Sequence, residues 1–233
     1  MTAIIHNDDC FNILKMIPNK SIDLFICDLP YSRLKFGRST ACKWDRTIDL
    51  DKLWIEFKRL RKTKKTPFVF FCNVKHGYDL ISSNPRWYRY EVCYQKSLPT
   101  GFLNSKHQPL RATEYLYFFY ENLPIVYTEN IKKHHKKLKR RKGNDMSLTY
   151  KPKLPTSMLN IKTERGSHQT QKSTKIIKWI LKYYSKDGDT VLDPTMGSGS
   201  VGVACKQTNR NFIGIEDSAK IFKIAQTRIK KAI

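Results

Sequence analysis

Two hydrophobic periods alternate along the chain. TAIIHN (2–7) and SIDLFICDL (21–29) are short and mostly apolar, which predicts parallel strands buried on both faces. Between them CFNILKMI (10–17) carries its apolar residues at helical spacing. In LDKLWIEFKRLRK (50–62), Leu50, Leu53, Trp54, Phe57 and Leu60 form one stripe, which predicts an amphipathic helix. A strand follows in TPFVFFCNV (66–74), with Pro67 at its first position, then a short helix in HGYDLISSN (76–84). WYRYEVCYQK (87–96) and EYLYFFYE (114–121) read as two more strands. The C-terminal part repeats the alternation: helix at 176–184, strand at 190–194, helix at 200–208, strand at 211–216 and helix at 218–232. This order predicts the α/β class, with a doubly wound, Rossmann-like sheet.

The middle breaks the pattern. ENIKKHHKKLKRRKGND (129–145) is almost free of apolar residues and is expected to be a loop or arm, and 146–167 is expected to stay irregular. Lys and Arg total 44 against 20 acids, a net charge of +24 in 233 residues, which points to a polyanionic partner. Lys132, Lys133, Lys136, Lys137, Lys139, Arg140, Arg141 and Lys142 are the residues expected to meet nucleic-acid phosphates. The run KRLRKTKK (58–65) either lines the same face or is ordinary surface. The six cysteines are widely spaced and none forms a CxxC pair, so reduced thiols are expected, with neither a disulfide framework nor a metal site. No run reaches membrane-helix length and the N-terminus lacks the features of a signal peptide, so a cytoplasmic protein with no membrane partner is expected.

Two stretches carry chemistry. FICDLPY (25–31) ends a buried strand on Asp28, followed by Leu29, Pro30 and Tyr31. An acid, a stiffened turn and an aromatic ring in succession suit a flat substrate bearing an amino group. VLDPTMGSGSVGVACKQTNRNFIGIE (191–216) ends one strand on Asp193, turns through Gly197, Ser198 and Gly199 into a helix, and ends the next strand on Glu216. Glycines admit a close ligand, and Glu216 can accept from both hydroxyls of a ribose. Gly197, Gly199 and Gly202 also spell GxGxxG, so a nicotinamide-dependent oxidoreductase is a rival on these residues alone. Both motifs sit at carboxyl ends of strands and should face one crevice.

Taken together these stretches resemble the amino-methylating DNA methyltransferases of the β class, in which a tetrapeptide of the type Asp-Pro-Pro-Tyr precedes the S-adenosylmethionine (SAM) loop. The likeness also rests on ACKWD (41–45), TGFLNSKHQPLRATEYLYFF (100–119), PTSML (155–159) and HQTQKS (168–173), and covers nearly the whole chain. It implies SAM as cofactor, double-stranded DNA as substrate and a bacterial or phage-encoded enzyme. Adenine N6 is the expected acceptor, with cytosine N4 the alternative; a DNA-binding protein with a decayed methyltransferase fold is a further one, and RNA also stays open. A homodimer is left open, as is a companion restriction enzyme.

The resemblance further implies that Asp28, Leu29, Pro30 and Tyr31 form the catalytic tetrapeptide. It implies that Asp9 and Cys10 border the SAM adenine, and that Thr170 and Lys172 border its methionine end. Asp193, Gly197, Ser198, Gly199 and Glu216 complete the cofactor set. By this placement 1–120 form the catalytic half, 121–167 a small basic target-recognition insert and 168–233 the SAM-binding half. Leu29 departs from the first proline of the tetrapeptide, and Gln169 and Ser173 depart from prolines in the HPTQKP block.

Overall fold

The structure is a computed structural model that describes residues 1–30, 48–127, 155–161 and 171–232. Eight strands form one sheet in the order β1-β8-β7-β2-β3-β5-β4-β6. They are β1 (Ala3–His6), β2 (Leu24–Cys27), β3 (Phe68–Cys72), β4 (Tyr88–Thr100), β5 (Arg111–Phe119), β6 (Met158–Ile161), β7 (Thr190–Asp193) and β8 (Asn211–Ile215). Among them only β5 runs against the rest, paired antiparallel with β3 on one side and β4 on the other.

The helices are α1 (Cys10–Leu14), α2 (Leu50–Leu60), α3 (Val74–Ser83), α4 (Thr174–Tyr184), α5 (Ser200–Lys206) and α6 (Ala219–Lys231). Each covers the sheet with one apolar stripe. On one face Leu14, Leu53, Phe57 and Leu80, from α1 to α3, pack against Phe25, Phe68 and Phe70. On the other, Ile177, Leu181, Val201 and Ile229, from α4 to α6, pack against Ile26, Val69 and Phe71. Successive residues of β3 therefore feed opposite layers, as the period of two requires. That is why β2 and β3 read as unbroken apolar runs.

Three differences from the sequence reading have local causes. Met158–Ile161, in the stretch expected to be irregular, forms β6 and pairs in parallel with β4 from Cys93↔Met158 to Lys96↔Ile161. A four-residue, half-buried edge strand gives too little period-two signal to detect. β4 runs to Thr100, past Pro99, because a register irregularity between Gln95 and Thr100 accommodates a residue with no N–H to donate. β5 begins at Arg111, three residues earlier than its apolar part.

The run at 58–65 is also resolved. It lies at the amino end of β3, across the sheet from the carboxyl ends of the parallel strands. There Arg61 pairs with Glu121 at 2.5 Å and stacks over Trp87, Lys64 pairs with Glu121 at 2.9 Å, and Lys62 with Asp23 at 2.9 Å. Arg59 donates to the Leu14 and Ile17 carbonyls and ties α2 to the turn after α1. These side chains brace the fold.

Phe57 is fully buried, with ring centroids 4.5 Å from Phe25 and 5.6 Å from Phe68. Phe57→Ala should cost about 3–5 kcal/mol in urea unfolding; a loss under about 1 kcal/mol would mean this layer repacks freely.

Candidate active site

The chain reverses its winding between β7 and β2. From β7 it crosses through α5 to β8 on one side, and from β2 through α2 to β3 on the other. β7 and β2 are themselves parallel neighbours, with Phe25 opposite Leu192. A doubly wound sheet opens a crevice at such a point, beyond the carboxyl ends of the strands. Asp28 follows β2 and Asp193 closes β7, so both chemistry-bearing stretches end at this crevice.

A direct bond joins them. The Thr195 hydroxyl donates to the carbonyl of Asp28 at 3.1 Å, and the Asp193 carboxyl accepts from the Thr195 N–H at 3.2 Å. Asp193 is almost fully buried, and that burial pushes its carboxyl well above the usual range.

The glycine turn is shaped by two left-handed residues, Gly197 at φ 53° and Gly199 at φ 78°. They differ in what surrounds them. A Cβ on Gly197 would meet nothing within 4 Å, so the backbone there faces open space. A Cβ on Gly199 would lie 3.0 Å from Ala225 Cβ and 3.0 Å from Ile229 Cδ1 on α6. Gly202 is tighter still, with Ile229 at 2.6 Å and Phe212 at 2.7 Å from the same point. Of the three glycines the first leaves open space beside its backbone, and the other two let α5 approach α6 and β8. Arg228 of α6 supports the turn from below, donating to the Ser198 carbonyl and, at 2.8 Å, to its hydroxyl.

Glu216 stands beside the open glycine. Its two carboxyl oxygens accept from the N–H groups of Gly197 and Ser218, each at 3.0 Å. Each oxygen keeps a second lone-pair direction for a further donor. Burial raises the Glu216 pKa to about 7, against the two N–H bonds that favour the charged form. β1 lies next to β8, and its exit brings Asp9 to the same edge of the sheet. Asp9 caps α1, accepting from the Phe11 N–H at 2.8 Å. Cys10, next to it, is buried in the core and its thiol is pushed up to about 12, chiefly by desolvation.

Leu29 is 2% exposed and its side chain enters the core layer of α1 to α3. Lys172 reaches the crevice from the segment before α4, with Nζ 3.3 Å from an Asp28 carboxylate oxygen. Tyr31, Thr170 and the basic residues Lys132, Lys133, Lys136, Lys137, Lys139, Arg140, Arg141 and Lys142 lie outside the described residues. Sequence reasoning did not single out Thr195 or Arg228 as supports, nor Glu114, which also contacts Lys172 at 3.3 Å. The signal for Glu114 was there: it is the one acid in the strand RATEYLYFF.

Two outcomes follow from this geometry. Gly199→Ala should lower the melting temperature without any ligand present, by the equivalent of about 1–3 kcal/mol, through its positive φ and the crowding on α6. An unchanged melt would contradict the packing role. Glu216 holds a proton more tightly folded than unfolded, so its contribution to stability is fully present below about 4.5 and is lost as pH rises through about 7. Unfolding free energies across that window should decline with pH in the wild type and decline less in Glu216→Gln. Parallel curves would mean that the carboxyl ionises normally.

The DNA methylase family N6_N4_Mtase matches residues 22–227. The Type II methyltransferase M.HinfI of Haemophilus influenzae is 27% identical, over 96% of this chain and 67% of that protein. The Type II methyltransferase M2.LlaDCHI of Lactococcus lactis subsp. cremoris is 26% identical, over 98% of this chain and 90% of that protein. Among solved structures, the M1.HpyAVI–SAM complex matches with a TM-score of 0.69 at 22% identity, covering 97% of this chain and 100% of that one. The cytosine-N4-specific PvuII DNA methyltransferase matches with a TM-score of 0.69 at 13% identity, covering 98% of this chain and 86% of that one. The structural likenesses carry the fold, and the family match spans both arms of the crevice, from before β2 into α6: the chain belongs to the DNA methylase family N6_N4_Mtase.

Proposed function

We propose that this SAM-dependent DNA methyltransferase acts on the N6 amino group of an adenine flipped out of the duplex, with Asp28 as the residue that receives that group. The observation that carries the reading is the Thr195–Asp28 bond, which fixes the tetrapeptide against the glycine turn at the winding reversal. The residues present fit the cofactor. Gly197 offers open backbone and Glu216 offers paired oxygens beside it for ribose hydroxyls. When bound, SAM supplies a methyl group activated by its sulfonium.

The chain's own residues would do the rest. The exocyclic amino nitrogen of adenine is a poor nucleophile because its lone pair is delocalised into the ring. Asp28 accepts one N–H and the Leu29 backbone carbonyl the other, which holds the nitrogen closer to tetrahedral and aims its lone pair across the crevice. Most of the acceleration then comes from positioning and fixed dipoles. Pro30 stiffens the turn that presents both acceptors. Tyr31 stacks on the extruded base and recovers on the order of 1–3 kcal/mol, against the few kcal/mol that flipping costs. Asp9 borders the adenine of the cofactor, and Thr170 and Lys172 its methionine end. Asp193 and Ser198 shape the cofactor turn. The lysines and arginines of 132–142 neutralise phosphates within a recognition insert spanning 121–167, between the catalytic half (1–120) and the cofactor half (168–233).

Cytosine N4 is the second reading, favoured by the likeness to the cytosine-N4-specific PvuII enzyme. It presents the same amidine-like amino group to the same two acceptors. Duplex DNA methylated by the protein, digested to nucleosides and separated, should yield N6-methyladenine. N4-methylcytosine in its place would overturn the adenine reading. In the same assay Asp28→Ala should abolish transfer from methyl-labelled SAM while SAM affinity stays within about threefold; near-normal turnover would remove Asp28 from the chemistry.

A further inference from the structure

A polar cluster stands directly behind Asp28, on the α4–α6 face of the sheet. Glu114 on β5 lies opposite Tyr94 on β4 in the strand register. Its carboxylate accepts from the Tyr94 hydroxyl and, at 3.0 Å, from Lys96 Nζ. The same carboxylate lies 3.3 Å from Lys172 Nζ, which in turn lies 3.3 Å from Asp28. The Lys172 ammonium sits 5.3 Å above the Phe71 ring, on an apolar floor. Two ammonium groups and two carboxylates thus balance in a row: Lys96, Glu114, Lys172, Asp28.

Both Lys172 contacts are longer than the roughly 2.7–2.9 Å of an optimal charge-assisted hydrogen bond. An ammonium held by one carboxylate closes onto it. Here two carboxylates, one following β2 and one on β5, lie at the same distance from it, and neither takes it fully. The side chains of Lys172, Asp28 and Glu114 are 19%, 31% and 29% exposed, so water does little to screen the contest. Glu114 cannot follow Lys172 towards Asp28, because the Tyr94 hydroxyl and Lys96 anchor it from β4.

We propose that Glu114 is a positioning residue for methyl transfer: anchored by Tyr94 and Lys96, it holds Lys172 part-way from Asp28, so that Lys172 orients the Asp28 carboxylate towards the amino group rather than closing onto it. This rests on the reading of Asp28 above and adds a residue to it. With Glu114 neutral, Lys172 closes onto Asp28 and competes with the substrate N–H. Its proton is also held less firmly. Among the described residues, the charged and titratable groups in and facing this row are Cys27 on β2 and Asp28 after it, Cys72 at the end of β3, Tyr94 and Lys96 on β4, Glu114 on β5 and Asp193 at the end of β7. Burial lowers the proton affinity of Lys172, while Asp28 and Glu114 raise it and prevail, so losing one carboxylate lowers it.

The test uses the full chain, methyl-labelled SAM and unmethylated duplex genomic DNA, with Asp28→Ala, Glu114→Gln, Glu114→Asp and Tyr94→Phe run in parallel. Glu114→Gln should lower kcat about 10–100-fold, with KM for SAM and for DNA within about threefold. The alkaline limb of its kcat profile should move to lower pH. Glu114→Asp should recover part of both changes, and Tyr94→Phe should move both in the same direction by less. If melting shows that Glu114→Gln does not fold, the Glu114→Asp and Tyr94→Phe profiles decide, since each should be shifted the same way. A kcat within threefold of wild type on an unmoved pH profile overturns the proposal. So does a raised KM for SAM with kcat intact, which would make the cluster a cofactor contact. An inactive Asp28→Ala beside wild-type-like Glu114 variants sinks the positioning role alone, whereas an active Asp28→Ala sinks the site reading and this role with it.

Discussion

The parallel pairing of β2 with β7 is the constraint on which the site depends. The two strands are separated by more than 160 residues of chain, yet their pairing puts the end of one beside the end of the other. Because the chain winds away from this pair in both directions, no helix among the described residues crosses above it, and the topology leaves a crevice there. The Thr195–Asp28 bond then sets the two stretches in register at atomic scale. A shift of one residue in that pairing would turn Asp28 to the opposite face and bury it among the phenylalanines of α2 and β3.

The second organising feature is how charge is stored near an apolar wall. A lone ammonium beside Phe71 would shed its proton. Flanked by Asp28 and Glu114 it keeps it, and Glu114 is itself held below the usual glutamate range by Lys172, Tyr94 and Lys96, against the burial that would raise it. Each group is tolerable because its neighbours are charged in the opposite sense. Such a row is costly to build and gives a fixed geometry in return, which suits a site that works by orientation. The ends of β7 and β8 use the reverse device: Asp193 and Glu216 are buried with N–H donors and, among the described residues, no paired cation, so both carboxyls hold their protons more tightly.

Most of the sheet was legible because its signals are local. The apolar runs of β2 and β3, the stripe of α2 and the glycine turn after β7 all declare themselves within ten residues. The two motifs could be placed in one crevice because strand order follows from alternation and handedness. What escaped was long-range or weak. β6 has four half-buried residues at an edge. The contacts of Glu114 are with Lys172, nearly sixty residues away, and with Tyr94 across the strand pair. The division of labour among Gly197, Gly199 and Gly202 is fixed by α6, which the spacing GxGxxG does not encode. Spacing shows that glycines are needed; only the packing shows which of them face open space and which a helix.

The same distinction explains why leucine can stand second in the tetrapeptide. Alternation along the strand exit sends Asp28 to the α4–α6 face and Leu29 to the other, where its side chain is 2% exposed beside the aromatic layer of α2. Burying that side chain fixes the Leu29 peptide from behind by an apolar contact, where a proline would fix it through its ring. The backbone carbonyl is present with either residue, so substituting this position tests packing first, whereas substituting Asp28 removes a carboxylate. Asp28 is thus held from the side of Lys172 and Thr195 and Leu29 from the core, so the two neighbouring positions are fixed independently and the second can change its side chain as long as that side chain packs.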